Sequence, residues 1–284
     1  MARFRRRALH STPVDRYVVI GNPVAHSLSP EIHAHFAAAT GERLEYGRLL
    51  AEPPRFRERL REFFAAGGRG ANVTVPFKLE AFEIADERSE RASLAGAANV
   101  LLQRGGTLHA DNTDGAGLVA DLETNAGFAL RDRTILILGA GGATRGVMGP
   151  LLTRSPARIT IANRTLGKAQ ALCDAFAHRG DVTARALDDI GSVRADLVVN
   201  ATSASTLGEA LALPDSLLGP GIFAYDMAYG RALGDFLVRA RASGSTARDG
   251  LGMLVEQAAE SFLLWRGMRP ATQAILAALR ARFP

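Results

Sequence analysis

The chain is nearly free of cysteine, with Cys173 alone among 284 residues. A single thiol cannot form an intrachain disulfide, so no disulfide within the chain holds the fold together. Cys173 lies in an Ala- and Leu-rich helical stretch from 169 to 178, a setting that indicates an inert core thiol rather than a nucleophile.

Long hydrophobic runs and signal segments are also absent. No run of about 18 apolar residues occurs, so we expect no membrane span. The basic stretch from Met1 to Arg7 lacks an apolar h-region, which argues against a secretory signal. Apolar residues make up 47% of the chain, enough for a large core in one or two domains. We expect a cytoplasmic enzyme, either a monomer or a homodimer, without a membrane partner.

The net charge of +5 could indicate a nucleic-acid partner, but four arginines before residue 8 supply much of the excess. The other charges are mixed along the chain, and no basic patch is interleaved with aromatic residues, so we expect no nucleic acid to bind. The arm from Met1 to Thr12 has no apolar periodicity. We expect it to be disordered and dispensable.

A glycine-rich turn is the most informative motif. It follows the apolar run 134–138, which predicts a buried parallel strand, and a helix should open at the turn. Glycine lets the backbone turn tightly and approach a pyrophosphate, while free amides at the helix N-terminus face the anion. The turn predicts a dinucleotide site formed by Gly139, Ala140, Gly141, Gly142 and Ala143.

The next strand indicates NADP(H) rather than NAD. It ends about two dozen residues after the first glycine, where an NAD-binding domain carries an acidic residue for the ribose hydroxyls. Asn163, Arg164 and Thr165 stand there instead. A guanidinium fork matches a 2′-phosphate, and Lys168 follows Arg164 by one helical turn, so the two form a basic clamp.

Strands and helices alternate along almost the whole chain, which predicts an α/β fold with two units. The first unit has predicted strands at 17–20, 44–50, 71–75, 98–102 and 107–110, and predicted helices at 30–39, 54–66 and 78–85. A helix at 114–125 leads to six strands that fit a complete Rossmann sheet, at 134–138, 158–162, 182–186, 197–200, 222–226 and 245–248. Helices at 253–265 and 271–280 should return to the first unit. We expect a substrate-binding catalytic domain at 1–114, completed by 250–284, and an NADP-binding Rossmann domain at 115–249.

The first unit carries polar residues where its strands end. Ser27 and Ser29 lie two apart at a strand-to-helix turn and can both face a ligand, next to helix amides that suit a carboxylate. The alternative is that Ser29 only caps the helix. Thr74 and Lys78 follow another strand, where α/β sheets hold ligands.

Lys78 and two further side chains, Asn99 and Asp114, carry the chemistry of this candidate site. Lys78 can serve as proton donor and acceptor in an apolar cleft, although a solvated surface lysine is the alternative. Asn99 sets an amide on an otherwise apolar strand, and Asp114 precedes a helix, where it could be simply an N-cap. His26, His33 and His35 do not form a convincing ligand set, so we expect no metal.

From about Tyr17 to the last helix, the chain resembles shikimate dehydrogenase. Each motif is modest, but their order is highly specific. The motifs are SLSP at 27–30, NVTVPFK at 72–78, AANV at 97–100, DNTDG at 111–115, GAGGATR at 139–145, NRT at 163–165, NATS at 200–203, DMAY at 226–229 and DGLGMLVEQA at 249–258.

The resemblance implies a reversible reduction of 3-dehydroshikimate to shikimate by NADPH, in the pathway to chorismate and the aromatic amino acids. It implies that Lys78 and Asp114 are the catalytic pair. It also implies that Thr202 lies beside the cofactor and that Met227 and Gly250 line the nicotinamide. The implied substrate contacts, besides that pair, are Ser27, Ser29, Thr74, Asn99, Tyr229 and Gln257.

The chain departs from the family pattern at two positions. Relatives commonly have glycine near position 205, where Ser205 can stiffen or reshape the loop beside the cofactor. Lys168 stands where arginine is frequent, and it keeps the charge but loses the bidentate fork, so we expect somewhat weaker 2′-phosphate binding.

Two alternative functions stay open. A quinate or dual quinate/shikimate dehydrogenase would share the Lys78 and Asp114 pair, but quinate-using relatives often carry threonine at the position of Ser29. A non-catalytic NADP-binding sensor would not need that intact pair.

Overall fold

The computed structural model describes residues 14–207, 209–230 and 234–283, and within them two six-stranded sheets. The basic arm lies outside the described residues, so its disorder and dispensability stay predictions. None of the described helices is long and apolar enough to cross a membrane.

The first sheet has the strand order β2-β1-β3-β5-β6-β4. Its strands are β1 (Asp15–Gly21), β2 (Leu44–Leu50), β3 (Gly68–Val73), β4 (Glu87–Arg88), β5 (Val100–Arg104) and β6 (Thr107–Asp111). β1 runs parallel to β2 and β3, whereas β5 runs antiparallel to both β3 and β6. The carboxyl ends of β1, β3 and β6 and the amino end of β5 therefore share one edge. The helices of this unit are α1 (Ser29–Thr40), α2 (Phe56–Ala65), α3 (Lys78–Ile84) and α4 (Glu90–Ala95).

The second sheet is parallel throughout, with the order β12-β11-β10-β7-β8-β9. Its strands are β7 (Thr134–Leu138), β8 (Arg158–Asn163), β9 (Val182–Ala186), β10 (Leu197–Asn200), β11 (Phe223–Asp226) and β12 (Thr246–Asp249). This is the complete Rossmann order, as predicted. The helices are α5 (Asp114–Ala120), which continues as a π turn (Asp121–Asn125), α6 (Gly142–Leu152), α7 (Leu166–Phe176), α8 (Ala204–Leu207) and α9 (Asp235–Ala242).

The last two helices return to the first sheet, which confirms the predicted path of the chain. α10 (Leu251–Arg266) and α11 (Gln273–Arg282) share a buried cluster with α1. Ile32 and Phe36 of α1 are fully buried there, with Leu251 and Val255 of α10. Burial of these apolar side chains is the main force that holds the C-terminal helices in place.

Most predicted elements are present, and the errors have local causes. The strand predicted at 71–75 ends at Val73, because the N–H of Phe77 donates to the carbonyl of Thr74 at 3.0 Å and closes a turn. The strand predicted to begin at 98 begins at Val100. Four short elements, α4, α8, α9 and β4, were not predicted. α4 has ordinary signals, since Ser89 caps it by accepting from the N–H of Ala92 and Gly96 ends it with φ of 58°.

Cys173 lies in α7 and is buried. Burial raises the pKa of its thiol to about 11. A thiol that stays protonated is a poor nucleophile, in agreement with the inert core role expected from the sequence.

Candidate active site

The catalytic pair predicted from the sequence is in direct contact. The Lys78 ammonium donates to Oδ2 of Asp114 across 2.6 Å, and the two side chains are 29% and 11% exposed. Lys78 begins α3 and Asp114 begins α5, at the shared edge of the first sheet. Thr113 occupies the N-cap position of α5, and the Asp114 carboxylate makes no capping bond. Lys78 is therefore ion-paired rather than free in solvent, and Asp114 does not cap α5.

Asn99 fixes the other side of the carboxylate. It is buried, and its amide nitrogen lies 2.8 Å from Oδ1 of Asp114. Its amide oxygen accepts the N–H of Thr113, and Oε1 of Gln257 lies 3.2 Å from its amide nitrogen. An ammonium has three donors. With one directed at Asp114, Lys78 keeps two for a substrate oxygen.

A second ion pair supports the turn that carries Asp114. Arg91 binds both carboxylate oxygens of Asp111, at 3.0 and 2.8 Å, and the Ser89 hydroxyl donates to Oδ1 at 2.6 Å. Burial would raise the pKa of Asp111, but the Arg91 and Ser89 hydrogen bonds outweigh it and the pKa lies below its ordinary value. The carboxylate also accepts the N–H of Asn112, which fixes the turn. No motif in the sequence marked Arg91 for this role.

The two serines of the first loop lie side by side. Their Oγ atoms are 3.2 Å apart, and the Ser27 hydroxyl accepts the N–H of Ser29 at 3.3 Å. Ser29 is buried within the first turn of α1, and Leu28 holds the N-cap position without a side-chain bond. The alternative that Ser29 caps the helix is wrong, because a residue with helical backbone cannot fold its side chain back onto the next amides.

A chain of hydrogen bonds behind the serines was not found from the sequence. The Tyr46 hydroxyl donates to Oδ1 of Asn72 at 2.7 Å, and the Asn72 amide donates to Oγ of Ser261 at 2.9 Å. Burial raises the pKa of Tyr46, so its hydroxyl stays a donor. Asn72 is the first residue of the motif at 72–78, and this position was the one sign in the sequence that it belongs to the site. These two hydrogen bonds link β2, β3 and α10 beneath the site.

His33 packs against Tyr46 as a buried, neutral imidazole. Its ring is stacked on Tyr46 with centroids 4.2 Å apart, and neither ring nitrogen has a hydrogen-bond partner among the described residues. Burial lowers the pKa of His33 to about 3. Within residues 14–207, 209–230 and 234–283, no group of three His, Cys, Asp or Glu side chains could hold a metal ion.

We expect acid to destabilise the protein through His33. The unfolded histidine takes up a proton below about pH 6.5, and the folded one does so only near pH 3. In that interval the free energy of unfolding should lose about 1.4 kcal/mol per pH unit from this residue, since only the unfolded state is protonated. Urea unfolding at several pH values tests this. His33→Phe should flatten the slope, and an equal slope in both proteins would contradict the assignment.

The residues predicted to bind the cofactor lie at the carboxyl edge of the second sheet. Gly139 turns with φ of 101°, and the Thr144 hydroxyl donates to its carbonyl at 2.7 Å. A Cβ added at Gly141 or Gly142 would meet no atom within 4 Å, so open space lies before the N-terminus of α6. This space, with amides facing it, fits a pyrophosphate.

The residues predicted to bind the 2′-phosphate lie at the carboxyl end of β8, which pairs with β7, in the turn that follows it and at the start of α7. Arg164 and Lys168 are exposed, and the Asn163 amide donates to the carbonyl of Thr165 at 2.9 Å, which fixes the turn between them. Exposed cations at a strand end beside the glycine turn fit a phosphate group.

Three more predicted residues follow β10, β11 and β12. A Cβ at Gly139 would lie 3.1 Å from Cγ2 of Thr202, and one at Gly250 would clash with the carbonyl oxygen of Met227. Tyr229 follows Met227 and is 36% exposed. The structure therefore brings the predicted cofactor residues to one edge of the sheet.

The two edges meet at α5 and α6. A Cβ at Gly115 would lie 2.6 Å from Pro150, and one at Gly146 would lie 3.6 Å from Oδ2 of Asp114. A side chain at Gly115 would not fit, so glycine at this position lets the two helices pack this closely. Lys78 and Asp114 consequently lie beside the helix that the glycine turn opens.

Three family models match this chain. They describe a shikimate dehydrogenase substrate binding domain at residues 19–101, a shikimate / quinate 5-dehydrogenase at residues 121–208 and a shikimate 5′-dehydrogenase C-terminal domain at residues 250–280.

Curated proteins and solved structures are similar over nearly the whole length. A shikimate dehydrogenase (NADP(+)) of Acidovorax sp. (strain JS42) is 53% identical over 272 residues, which cover 94% of this chain and 96% of that protein. The crystal structure of an Ael1 enzyme from Pseudomonas putida is 46% identical, with a TM-score of 0.88 and coverage of 93% and 98%. Shikimate 5-dehydrogenase from Thermus thermophilus, in complex with NADP(H) and shikimate, is 33% identical, with a TM-score of 0.83 and coverage of 94% and 99%.

Proposed function

Because the chain belongs to the shikimate dehydrogenase family, we propose that Lys78 and Asp114 transfer the proton in its reaction. The chain is an NADP-dependent oxidoreductase that acts on a CH–OH group, and its reaction is the reversible reduction of 3-dehydroshikimate to shikimate in aromatic amino acid biosynthesis. The observation that carries the proposal is the 2.6 Å contact between the Lys78 ammonium and the Asp114 carboxylate, next to α6, the helix that follows the glycine turn.

The reaction needs a hydride at carbon and a proton at the adjacent oxygen. Bound NADPH supplies the hydride. Lys78 donates a proton to the carbonyl oxygen and regains one from solvent, to which its side chain is 29% exposed. Asp114 orients the ammonium. In the reverse direction Lys78, after it has released a proton to solvent, accepts the proton of the substrate hydroxyl, and Asp114 again orients its nitrogen. Asn99 keeps the carboxylate in place during both steps.

The remaining polar groups of the first edge hold the substrate in this proposal. Ser27 and Ser29, with the amides that open α1, suit the ring carboxylate, because hydroxyls and a helix N-terminus both favour an anion. The other ring substituents would contact Thr74, Asn99, Tyr229 and Gln257. A ring held at several points keeps the reacting carbon fixed against the hydride donor.

The cofactor would lie along the second edge. Its pyrophosphate would face Gly139 to Ala143, where the open space before α6 supports it. Asn163, Arg164, Thr165 and Lys168 would bind the adenosine 2′-phosphate. Thr202, Met227 and Gly250 would line the nicotinamide end.

We also propose the domain boundaries that the sequence indicates. Residues 1–114 with 250–284 would form the substrate-binding catalytic domain, and residues 115–249 the NADP-binding domain. The cluster of α1 with α10 and α11 supports the assignment of the C-terminal helices to the catalytic domain.

The test is a steady-state assay of the full chain with shikimate and NADP, monitored by the absorbance of NADPH. Turnover that requires both shikimate and NADP supports the proposed reaction. Quinate in place of shikimate, at the same concentrations, measures how far the site accepts an extra ring hydroxyl. Cofactor binding without turnover on either substrate would favour a sensor and overturn the proposal.

Arg164 should set the choice of cofactor. A charge-assisted contact to phosphate is worth roughly 1.5 to 3 kcal/mol, so Arg164→Ala should raise the KM for NADP by about tenfold to a hundredfold and leave the KM for NAD nearly unchanged. Steady-state kinetics with each cofactor measure this. Lys168→Ala should have a smaller effect in the same direction, since an ammonium lacks the bidentate fork. Equal weakening of NADP and NAD would show that Arg164 stacks on adenine or supports the fold instead.

A further inference from the structure

A buried polar cluster lies behind the nicotinamide end of the proposed site. Asn200, Ser205 and Asp226 are each at most 2% exposed. The Ser205 hydroxyl donates to Oδ2 of Asp226, and the Asn200 amide donates to the same oxygen at 2.9 Å. Buried polar groups are nearly always paired, and each member here has a partner.

This cluster connects two segments proposed to bind cofactor and substrate. Oδ1 of Asp226 accepts the N–H of Ala228 at 2.9 Å, and the Asn200 carbonyl accepts the N–H of Met227 at 3.0 Å. Oδ1 of Asn200 accepts both the hydroxyl and the N–H of Thr202, at 2.7 and 3.1 Å. The Asp226 carboxylate therefore joins the loop after β10 to the segment from Met227 to Tyr229.

We propose that Ser205 is a positioning residue for hydride transfer, because its hydroxyl fixes the Asp226 carboxylate and thereby the segment from Met227 to Tyr229. This inference rests on the proposed function. The backbone of Gly234 packs against Ser205, since a Cβ at Gly234 would clash with the serine Oγ. Ser205 thus contacts the chain on both sides of the Met227 to Tyr229 segment.

The pKa of Asp226 provides a second measurable consequence, a shift in the pH dependence of the activity. Burial raises the pKa of Asp226, and the nearby Asp249 carboxylate acts in the same direction, although Arg280 is paired with Asp249. The hydrogen bonds from Ser205, Ala228 and Asn200 oppose that shift. Removal of the Ser205 hydroxyl should therefore raise the pKa of Asp226 further, and the carboxyl group should protonate at a higher pH than in the native chain.

Ser245 provides a matched control in the same sheet. It is also buried, and its hydroxyl accepts the N–H of Gly219 at 2.8 Å and donates to the Gly219 carbonyl at 3.1 Å. It lies just before the amino end of β12, opposite the proposed site. Ser245→Ala removes a buried hydroxyl of equal size without touching the segment from Met227 to Tyr229.

The experiment compares kcat and KM for shikimate and NADP across pH in three variants. Ser205→Ala should lower kcat about tenfold, with both KM values within about twofold, because a small misplacement affects the reaction more than binding. Its activity should also begin to fall at a higher pH on the acid side. Ser205→Gly should show the same loss of kcat and the same shift of the pH profile as Ser205→Ala. Ser245→Ala should match the native chain in kcat and in the pH profile.

The outcomes separate this inference from the proposed function. Native kcat in both Ser205 variants, or an equal loss of kcat in Ser245→Ala, would overturn the inference while shikimate oxidation by the native chain still stands. A native chain that does not oxidise shikimate with NADP would overturn the proposed function and this inference with it.

Discussion

Lys78→Ala should lower the kcat for shikimate oxidation about a hundredfold to ten-thousandfold, the usual contribution of a positioned acid or base. The alanine variant keeps the Asp114 carboxylate and its bond to Asn99, but it loses the ammonium that we propose as the proton donor. The KM for shikimate should change much less, since the proton moves only in the transition state. Steady-state kinetics at saturating shikimate and NADP measure both constants.

A double-mutant cycle sharpens this prediction. Asp114→Asn should also reduce kcat, and the double variant should lose little more than the worse single variant, because the carboxylate acts by orienting the ammonium. Ser29→Ala is the contrast, since loss of a binding hydroxyl should mainly raise the KM. Additive losses would indicate two independent roles. Near-normal kcat in Lys78→Ala would mean that Lys78 only binds substrate and that the proton passes through Asp114 or water.

The sequence located this pair because strand ends follow a simple rule. In a sheet with parallel strands, polar residues that follow the carboxyl ends of those strands come to the same edge. Lys78 and Asp114 follow β3 and β6, which run in the same direction on either side of β5. The glycine turn after β7 and Arg164 after β8 likewise lie at one edge, because these two strands are parallel neighbours.

The supporting contacts could not be predicted because they depend on tertiary packing. Arg91 meets Asp111 only because β4 pairs with β6 and brings α4 against the turn after β6. Tyr46 meets Asn72 across β1, which separates β2 from β3. Neither pair has a local spacing that would mark it.

The capping role considered for Ser29 failed for a related reason. Serine before a proline is a good cap signal, but the backbone of Leu28 decides where α1 begins. At Ser205 the sequence indicated an unusual residue, yet the partner of its hydroxyl lies on the next strand, at Asp226.

A buried ion pair outside the catalytic pair should have the largest effect on stability. The Asp121 carboxylate has no exposed surface, and Arg248 binds both of its oxygens, at 2.7 and 3.0 Å. The Tyr225 hydroxyl donates to the same carboxylate at 2.8 Å. A Cβ at Gly252 would clash with Oδ1 of Asp121, so the carboxylate is covered by the start of α10.

Arg248→Met should therefore lower the free energy of unfolding by about 3 to 5 kcal/mol, because it leaves a buried carboxylate without its cation. Urea unfolding at neutral pH measures the loss. Arg158→Met is the matched control: its ion pair with Asp181 is exposed, so the loss should stay within about 1 kcal/mol. Arg248→Met combined with Asp121→Leu should recover part of the stability, since no charge is then left unpaired. If the double variant is no more stable than Arg248→Met, the loss comes from packing of the arginine stem and not from the unpaired charge.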